Sequence, residues 1–180
     1  METAVKTVWA IDPTHSEIQF KVKHLVISTV TGSFSKFSGS IEKTGDDFEH
    51  AKAQFEAEID SISTNNTDRD NHLKSADFFD ASNHPVLRFN STSFIKKNDD
   101  EYALNGIIQI RGVQKEIKLN AIFGGTMVDP YGNTKAGFEI TGKLNRKEFG
   151  LAWSATTEAG GIVVSDEVKL VLNVQFALQS

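Results

Sequence analysis

Apolar and polar residues alternate with a period of two along most of this chain, the pattern of β-strands that bury one face. In residues 16–24, Ile18, Phe20 and Val22 alternate with charged or amide side chains. Further runs repeat the alternation, with the apolar positions Ala51, Ala53, Phe55, Ala57 and Ile59; Tyr102, Leu104, Gly106, Ile108 and Ile110; Ile117, Leu119, Ala121 and Phe123; Ala136, Phe138, Ile140, Gly142 and Leu144; Val168, Leu170, Leu172, Val174 and Phe176. Residues 7–11, 30–41 and 86–95 are less regular but strand-like, and we expect bulges or bends at Gly32 and Gly39. The pattern predicts an all-β fold.

Turn-forming residues separate these runs, at positions 43–47, 97–100, 111–112 and 129–133. Because the connections are short, neighbouring strands are expected to be antiparallel. About eight long strands that each have one apolar face can hide their edges by closing into a barrel. A two-sheet sandwich is the alternative, and the length of the strands favours the barrel.

One segment breaks the two-residue period. Residues 67–79 are typical of a helix, with Thr67 as its cap, Asp68 and Asp70 in its first turn, and Leu73 and Phe79 at helical spacing. A second, shorter helical turn is possible at residues 24–29. The prediction is therefore an antiparallel barrel of about eight strands with one or two short helices.

Composition narrows the classes of function. The chain has 180 residues, 19 Lys plus Arg against 24 Asp plus Glu, and no cysteine. A formal net charge of -5 argues against nucleic acid as a partner, and the absence of cysteine excludes disulfides and thiolate sites. No internal repeat or linker is visible, so we expect one domain over residues 1–180.

The interior of the barrel could be packed solid or hold a ligand. Small residues recur on the inward faces, among them Ala53, Gly106, Ala121 and Gly142, and an eight-stranded barrel is just wide enough for side chains or one small ligand. Small and large residues can also alternate simply to fit the taper of a barrel. If a tunnel is present, Gly142→Leu should fill free space and leave the melting temperature nearly unchanged, whereas a solid core would be overpacked.

No motif for catalysis or metal binding is visible. The histidines, His15, His24, His50, His72 and His84, lack the spacings that bind zinc, and no nucleophile elbow surrounds any serine. We therefore assign no catalytic residue and no metal ligand. An enzyme that modifies an apolar substrate with His24 or His72 as acid or base is the alternative function.

A series of residues across nearly the whole chain resembles the YceI-like family of polyisoprenoid-binding proteins. The central match is Arg69-Asp70-Asn71-His72-Leu73-Lys74-Ser75-Ala76-Asp77-Phe78-Phe79. Further matches follow in the order of the family: Asp12, His15-Ser16, Phe20, His24-Leu25, Gly32-Ser33-Phe34, Gly39, Phe89-Asn90-Ser91-Thr92, Gly106, Gly112-Val113, Lys115, Asp129-Pro130, Gly132, Ala136-Gly137-Phe138-Glu139, Asn145-Arg146-Lys147-Glu148-Phe149-Gly150 and Ser165-Asp166-Glu167-Val168.

The resemblance implies a lipocalin-like barrel that holds an isoprenoid lipid, such as a polyprenyl phosphate or a quinone tail, without a required cofactor. The residues expected to contact the lipid chain are Phe20, Val22, Phe34, Phe37, Phe55, Phe79, Phe89, Ile108, Phe138, Ile140, Phe149, Trp153, Leu170 and Leu172. Candidates for the head group are His24, Arg69 and His72. Because dimers are common in the family, the resemblance also leads us to expect a homodimer.

Residues 1–11 lack the pattern of a secretory signal, and no apolar run is long enough to cross a bilayer. We therefore expect a cytoplasmic protein, or a periplasmic one if the chain is a trimmed mature form, without a transmembrane segment.

Overall fold

A computed structural model describes residues 5–24, 28–151 and 164–179. Over these residues the chain forms strands and a single α-helix, α1, at Thr67–Lys74. The strands are β1 Lys6–Ile11, β2 Glu17–His24, β3 Ser28–Phe34, β4 Phe37–Thr44, β5 Lys52–Glu58, β6 Ile62–Ser63, β7 Val86–Lys96, β8 Glu101–Ile110, β9 Val113–Val128, β10 Thr134–Asn145 and β11 Val164–Leu178. Short 3₁₀ turns lie at Pro13–His15, Ile59–Ser61 and Arg146–Phe149.

The sheet closes into an eight-stranded antiparallel barrel, as the alternation predicts. The ring runs β1-β4-β5-β7-β8-β9-β10-β11 and closes because the end of β11 pairs with β1, for example Phe176 opposite Ile11. The first part of β11 pairs with β2 instead, with Leu170 opposite Phe20. β3 then pairs with β2, and β6 pairs with β3.

Three of the long strands are bent, which explains the irregular stretches of the sequence. The Pro13–His15 turn separates β1 from β2, residues 35–36 separate β3 from β4, and the Ile59–Ser61 turn separates β5 from β6. The run 30–41 thus bends at residues 35–36 rather than at a glycine. The β1–β2 and β3–β4 strands pair with each other along both halves, whereas β5 pairs with β4 and β7 and β6 pairs with β3. Neighbours in the barrel are thus consecutive along the chain, and the barrel is an up-and-down meander.

Asp12 holds the bend between β1 and β2. Its carboxylate accepts hydrogen bonds from the backbone N–H and the hydroxyl of Thr14 at 3.0 and 2.7 Å. It also lies 2.8 Å from Nδ1 of His15 and forms an ion pair with Lys135 of β10. Mainly because of Lys135, with Thr14 and His15 adding to the effect, the pKa of Asp12 is far below its usual range.

Helix α1 is shorter than predicted. Its cap is Asn66, whose side-chain oxygen accepts the backbone N–H of Arg69 at 3.0 Å, so Thr67 is the first helical residue. The helix ends at Lys74, where Ser75 donates both its N–H and its hydroxyl to the His72 carbonyl. Phe79 therefore lies in the turns that follow the helix. The predicted turn at 24–29 is not helical in its described part, because β2 ends at His24 and β3 begins at Ser28.

Aromatic rings fill the end of the barrel where β1 begins and β11 ends. Phe48, from the loop between β4 and β5, is 2% exposed. Its ring lies 5.0 Å from that of Phe138, 5.4 Å from that of Phe123 and 5.6 Å from that of Trp9. These rings form the aromatic cluster, which closes this end with side chains from four separate segments.

The space above several glycines is filled by neighbouring side chains. A Cβ at Gly142 would overlap Cδ2 of Leu119, and one at Gly106 would overlap the ring of Phe89. Ala57, Ala121 and Ala136 are fully buried. The expectation that Gly142 borders free space was therefore wrong, because the large residue on the adjacent strand occupies the volume that glycine leaves.

We now expect Gly142→Leu to destabilise the protein by about 1–3 kcal/mol, since it must displace Leu119. Gly137 on the same strand is the matched control, because a Cβ there meets nothing within 4 Å. Gly137→Leu should change the free energy of unfolding by less than about 0.5 kcal/mol. Urea unfolding of both variants measures the difference, and equal stabilities would contradict this packing.

The second prediction concerns Asp12. A carboxyl with a lowered pKa in the folded state stabilises the protein above its unfolded pKa and loses that contribution as the pH falls. Asp12→Asn should therefore reduce the free energy of unfolding by about 2 kcal/mol at pH 7. The difference in free energy of unfolding between the wild type and the variant should decrease steadily below about pH 4. Urea unfolding between pH 7 and pH 2.5 tests this, and a gap that does not depend on pH would contradict it.

Candidate functional site

The barrel encloses a cavity of about 580 Å³ on the helix side of the aromatic cluster. This volume lies in the range typical of small-molecule sites, about 300–1,000 Å³. Its wall consists mostly of aliphatic and aromatic side chains from the inward faces of the strands. Phe94, Phe138 and Phe176 belong both to this wall and to the ring contacts around the aromatic cluster.

Most of the lipid-contact residues named from the sequence line this cavity. They are Phe20, Val22, Phe34, Phe55, Phe79, Phe89, Ile108, Phe138, Ile140, Leu170 and Leu172. They come from β2, β3, β5, β7, β8, β10 and β11, together with the segment after α1. One cavity thus gathers side chains from the whole length of the chain.

Two of the named residues lie outside the cavity wall. Phe37 stands at the first position of β4 and packs its ring 6.0 Å from that of Phe55, which does line the cavity. Phe149 ends the Arg146–Phe149 turn and is buried in the core. Trp153 and the side chain of His24 lie outside the described residues.

Other wall residues were not named as lipid contacts, although most occupy inward positions of the alternating runs. The apolar ones are Ile11, Ile18, Val30, Ile41, Ala53, Leu73, Phe78, Leu87, Phe94, Leu104, Ile110, Ile117, Leu119, Leu144, Leu151, Val168, Val174 and Phe176. Of the small inward residues, only Ala53 appears among them. The alternation could have identified the strand positions in this set, but not those on α1 and in the turns.

Most of the polar wall residues lie at the helix end of the cavity. Thr64, Asn66, Asp68, Arg69 and His72 come from the β6–α1 region. Lys23 from the end of β2 and Arg146 from the turn after β10 belong to the same group, and the wall also includes Gln19 of β2 and Gln54 of β5. We call the group at the helix end the polar end. The cavity therefore has chemically different ends, one aromatic and one charged.

Arg69 is fixed to the chain just before the helix. Its Nε donates to the Thr64 hydroxyl at 2.7 Å and its Nη2 donates to the Thr64 carbonyl at 2.8 Å. Asp70 accepts the Thr64 N–H and hydroxyl at 2.8 and 2.6 Å. Both side chains thus anchor the start of α1 to Thr64, the residue that directly follows β6.

His72 faces a carboxylate from the turn after the helix. Its Nε2 lies 2.9 Å from Oδ2 of Asp77. Its ring packs edge-on against Phe78, with 5.1 Å between centroids. The imidazole therefore borders the cavity while its outer nitrogen is engaged.

Arg146 is a cavity residue that sequence reasoning missed. It is 3% exposed, and its Nε and Nη1 donate to the carbonyls of Ser165 and Leu151 at 2.9 and 2.6 Å. Its Nη2 lies 3.7 Å from Oδ1 of Asp166. Burial lowers the pKa of Arg146, and the charge of Asp166 opposes that shift. Only its place in the Asn145–Gly150 match to the family could have drawn attention to it.

The described residues contain no group of three or more His, Asp or Glu side chains placed to hold a metal ion. None of the helices among them is long and apolar enough to span a membrane. What the site offers is an apolar volume with one charged end, which suits an elongated amphiphile.

Known proteins share this architecture. The chain is 33% identical to a UPF0312 protein of Staphylococcus aureus (strain USA300) over 173 residues, which cover 96% of this chain and 98% of that one. The crystal structure of a YceI protein from Campylobacter jejuni superimposes with a TM-score of 0.73 at 32% identity, over 88% of this chain and 90% of that one. A polyisoprenoid binding domain from Saccharophagus degradans shares the fold, with a TM-score of 0.67 at 14% identity over 98% of this chain and all of that one.

The family model of the YceI-like domain matches residues 9–176, which extend from within β1 to within β11. The barrel, its cavity and the identity to relatives over nearly their whole length agree with this match. The chain therefore belongs to the YceI-like family.

Proposed function

We propose that this protein binds an isoprenoid lipid of the polyprenyl phosphate or isoprenoid quinone type, with the apolar chain in the barrel cavity. The observation that carries the proposal is the apolar cavity of about 580 Å³, walled by branched and aromatic side chains. Sequestration, storage or transport of the lipid would follow from such binding. The polyisoprenoid binding domain of Saccharophagus degradans, which shares the fold, supports the choice of ligand.

The free energy of binding comes from burial of the lipid's apolar chain rather than from polar contacts. Burial of an apolar chain contributes about 0.8 kcal/mol for each CH₂ group. The rings of Phe20, Phe89 and Phe138 in the wall offer apolar surface to such a chain. A protein with this wall needs little head-group contact to bind firmly.

The polar end determines the orientation of the ligand in the cavity. Charged groups are disfavoured in apolar surroundings, so the head group lies beside Arg69 and His72 and the tail extends toward the aromatic cluster. The homodimer and the cytoplasmic location expected from the sequence stay predictions.

The direct test is extraction of the purified protein with organic solvent and identification of co-purified lipids by mass spectrometry. We expect an isoprenoid in an amount comparable to that of the protein. Conversion of an added isoprenoid into a new product would support the enzyme alternative. A protein that neither carries nor takes up any apolar ligand would overturn the proposal.

The third prediction concerns Ala53, a small residue in the cavity wall. Ala53→Phe places a ring in the space that the isoprenoid chain would occupy. The variant should therefore bind geranylgeraniol about tenfold more weakly, a loss of about 1.4 kcal/mol. The matched control is Lys52→Phe, which adds the same ring at an exposed position of β5 outside this wall. Calorimetric titration compares the two, and equal affinities would mean that the chain lies elsewhere.

A further inference from the structure

We propose that the barrel has a second, lateral opening between β5 and β7, through which the far end of a long isoprenoid chain leaves the cavity. The inference rests on the proposed function, because it concerns how much of the bound chain the cavity holds. It implies that the protein accepts chains longer than about four isoprene units, the length that the cavity itself encloses.

The volume of the cavity sets the length of chain that fits inside. A carbon group of a liquid hydrocarbon occupies roughly the volume of one water molecule, about 30 Å³. The cavity of about 580 Å³ therefore encloses on the order of 20 carbons, or about four isoprene units. The aromatic cluster fills the space beyond, because the rings of Phe48 and Phe138 pack with 5.0 Å between their centroids. A longer chain that extends toward this cluster needs another way out.

The pairing of β5 with β7 is interrupted beside the cavity. The two strands pair in regular register as far as Gln54 opposite Asn90. At the next position the N–H of Ala53 donates to the side-chain hydroxyl of Ser91, at 2.8 Å, and the register of the described residues contains no pair of these two. A side chain therefore bridges the strands at a point where a regular ladder would have backbone bonds.

A bulge in β7 lies at the same level. The register of β7 with β8 shifts between Ser91 and Ser93, so Thr92 is an extra residue in the strand. Bulges bend a strand and disrupt its pairing. Contact between the two segments returns where the N–H of His50 donates to the Phe94 carbonyl at 2.7 Å. The interruption is thus bounded on both sides by backbone bonds, as an opening in the wall of a barrel has to be.

A groove of about 520 Å³ lies on the outer side of this interruption. We call it the outer groove, and residues of β4, β5 and β7 and of the loop before β5 line it. The side chains of Lys52 and Thr92 in this groove are exposed, as outward positions should be. Ala53, Gln54 and Phe94 line both the outer groove and the cavity. The two spaces are therefore separated by a wall of these three residues.

The surface of the outer groove can accept hydrocarbon. Ala51 and Ala53 supply apolar surface, and Lys52 adds the carbons of its side chain while its ammonium group stays in water. The side chains of Ser40 and Gln54 are hydrogen-bonded to each other at 3.0 Å. A chain that emerges here gains less for each unit than it does in the cavity, but more than it gains in water.

A closed wall with a groove on its surface is the competing explanation. In that case the hydroxyl of Ser91 seals the interruption, and the cavity is blind at this end. Chains longer than about four units are then excluded, or they leave their excess length outside the polar end. Under either version, the size of a side chain in the outer groove has no effect on the choice between short and long chains.

The experiment is a competition between geranylgeraniol and the longer heptaprenol, which share an alcohol head group. Purified protein is incubated with equal amounts of both in detergent micelles and separated from the micelles, and the bound alcohols are quantified by mass spectrometry. The wild-type protein should retain heptaprenol at least as well as geranylgeraniol. The ratio is unaffected by partial unfolding, because both alcohols compete for the same folded molecules.

Thr92→Trp adds a large ring in the outer groove, at an exposed position that does not line the cavity. It should lower the ratio of bound heptaprenol to bound geranylgeraniol about tenfold. Thr31→Trp is the matched control, because it makes the same change at an exposed position of β3 that lines neither space. Its ratio should stay within about twofold of the wild-type ratio.

Single cysteines give a second measurement, because the chain has no cysteine of its own. Thr92→Cys labelled with benzophenone maleimide should form a photo-adduct with heptaprenol and much less with geranylgeraniol. Thr31→Cys with the same label should form neither adduct above background. The adduct shows directly whether the far part of the long chain reaches the outer groove.

Exclusion of heptaprenol by the wild-type protein would overturn the inference. A ratio that Thr92→Trp leaves unchanged would also overturn it and would place the excess chain outside the polar end. Absence of the heptaprenol adduct at Thr92→Cys counts against it in the same way. Failure of both alcohols to bind the wild-type protein would instead refute the proposed function.

Discussion

The closure of the sheet through β11 is the constraint on which the rest of the structure depends. This strand pairs with β10 along one side and with both β2 and β1 along the other, so one strand spans two halves of a bent partner. The bend between β1 and β2 is held by Asp12, which ties the Pro13–His15 turn to Lys135 of β10. Closure pairs the strands of the ring with neighbours on both sides and turns one face of every strand inward. Side chains of the aromatic cluster fill one end of the interior, and residues of α1 line the cavity at the other.

The different construction of the two ends gives the cavity its chemistry. At one end, rings from strands and from the loop that carries Phe48 pack against one another, and this packing excludes polar groups. At the other end, α1 and the Arg146–Phe149 turn contribute residues to the cavity wall. Helix and turn ends carry backbone and side-chain groups that need hydrogen-bond partners, and Asp70, Arg69 and Arg146 supply them. The charged groups that border the cavity are therefore a consequence of how this end is capped.

The sequence allowed the fold and much of the cavity wall to be predicted, because alternation is a local property. In β8 every second residue from Tyr102 to Ile110 is buried, or is a glycine covered by a ring, as the alternation required. Phe48 and Arg146 escaped prediction, because the first lies in a loop and the second in a turn, where no periodicity indicates direction. Phe37 has an alternating position on β4, yet it stands at the end of the strand and packs against Phe55 without lining the cavity itself. Strand phase thus predicts which way a side chain faces, but not whether that side chain reaches the cavity.

The location of free space inside the barrel likewise depends on neighbouring side chains and not on strand phase alone. Gly32 lies opposite Phe20, Gly106 lies beside Phe89, and Gly142 lies beside Leu119, and in each pair the large side chain covers the small residue. Large neighbouring side chains therefore occupy the space beside small inward residues, so these small residues do not by themselves leave a void. Ala53 borders the cavity although it is no smaller than the fully buried Ala57 on the same strand. The size of a residue does not decide whether a position opens onto the cavity, because its neighbours on adjacent strands determine how much of the space is already filled.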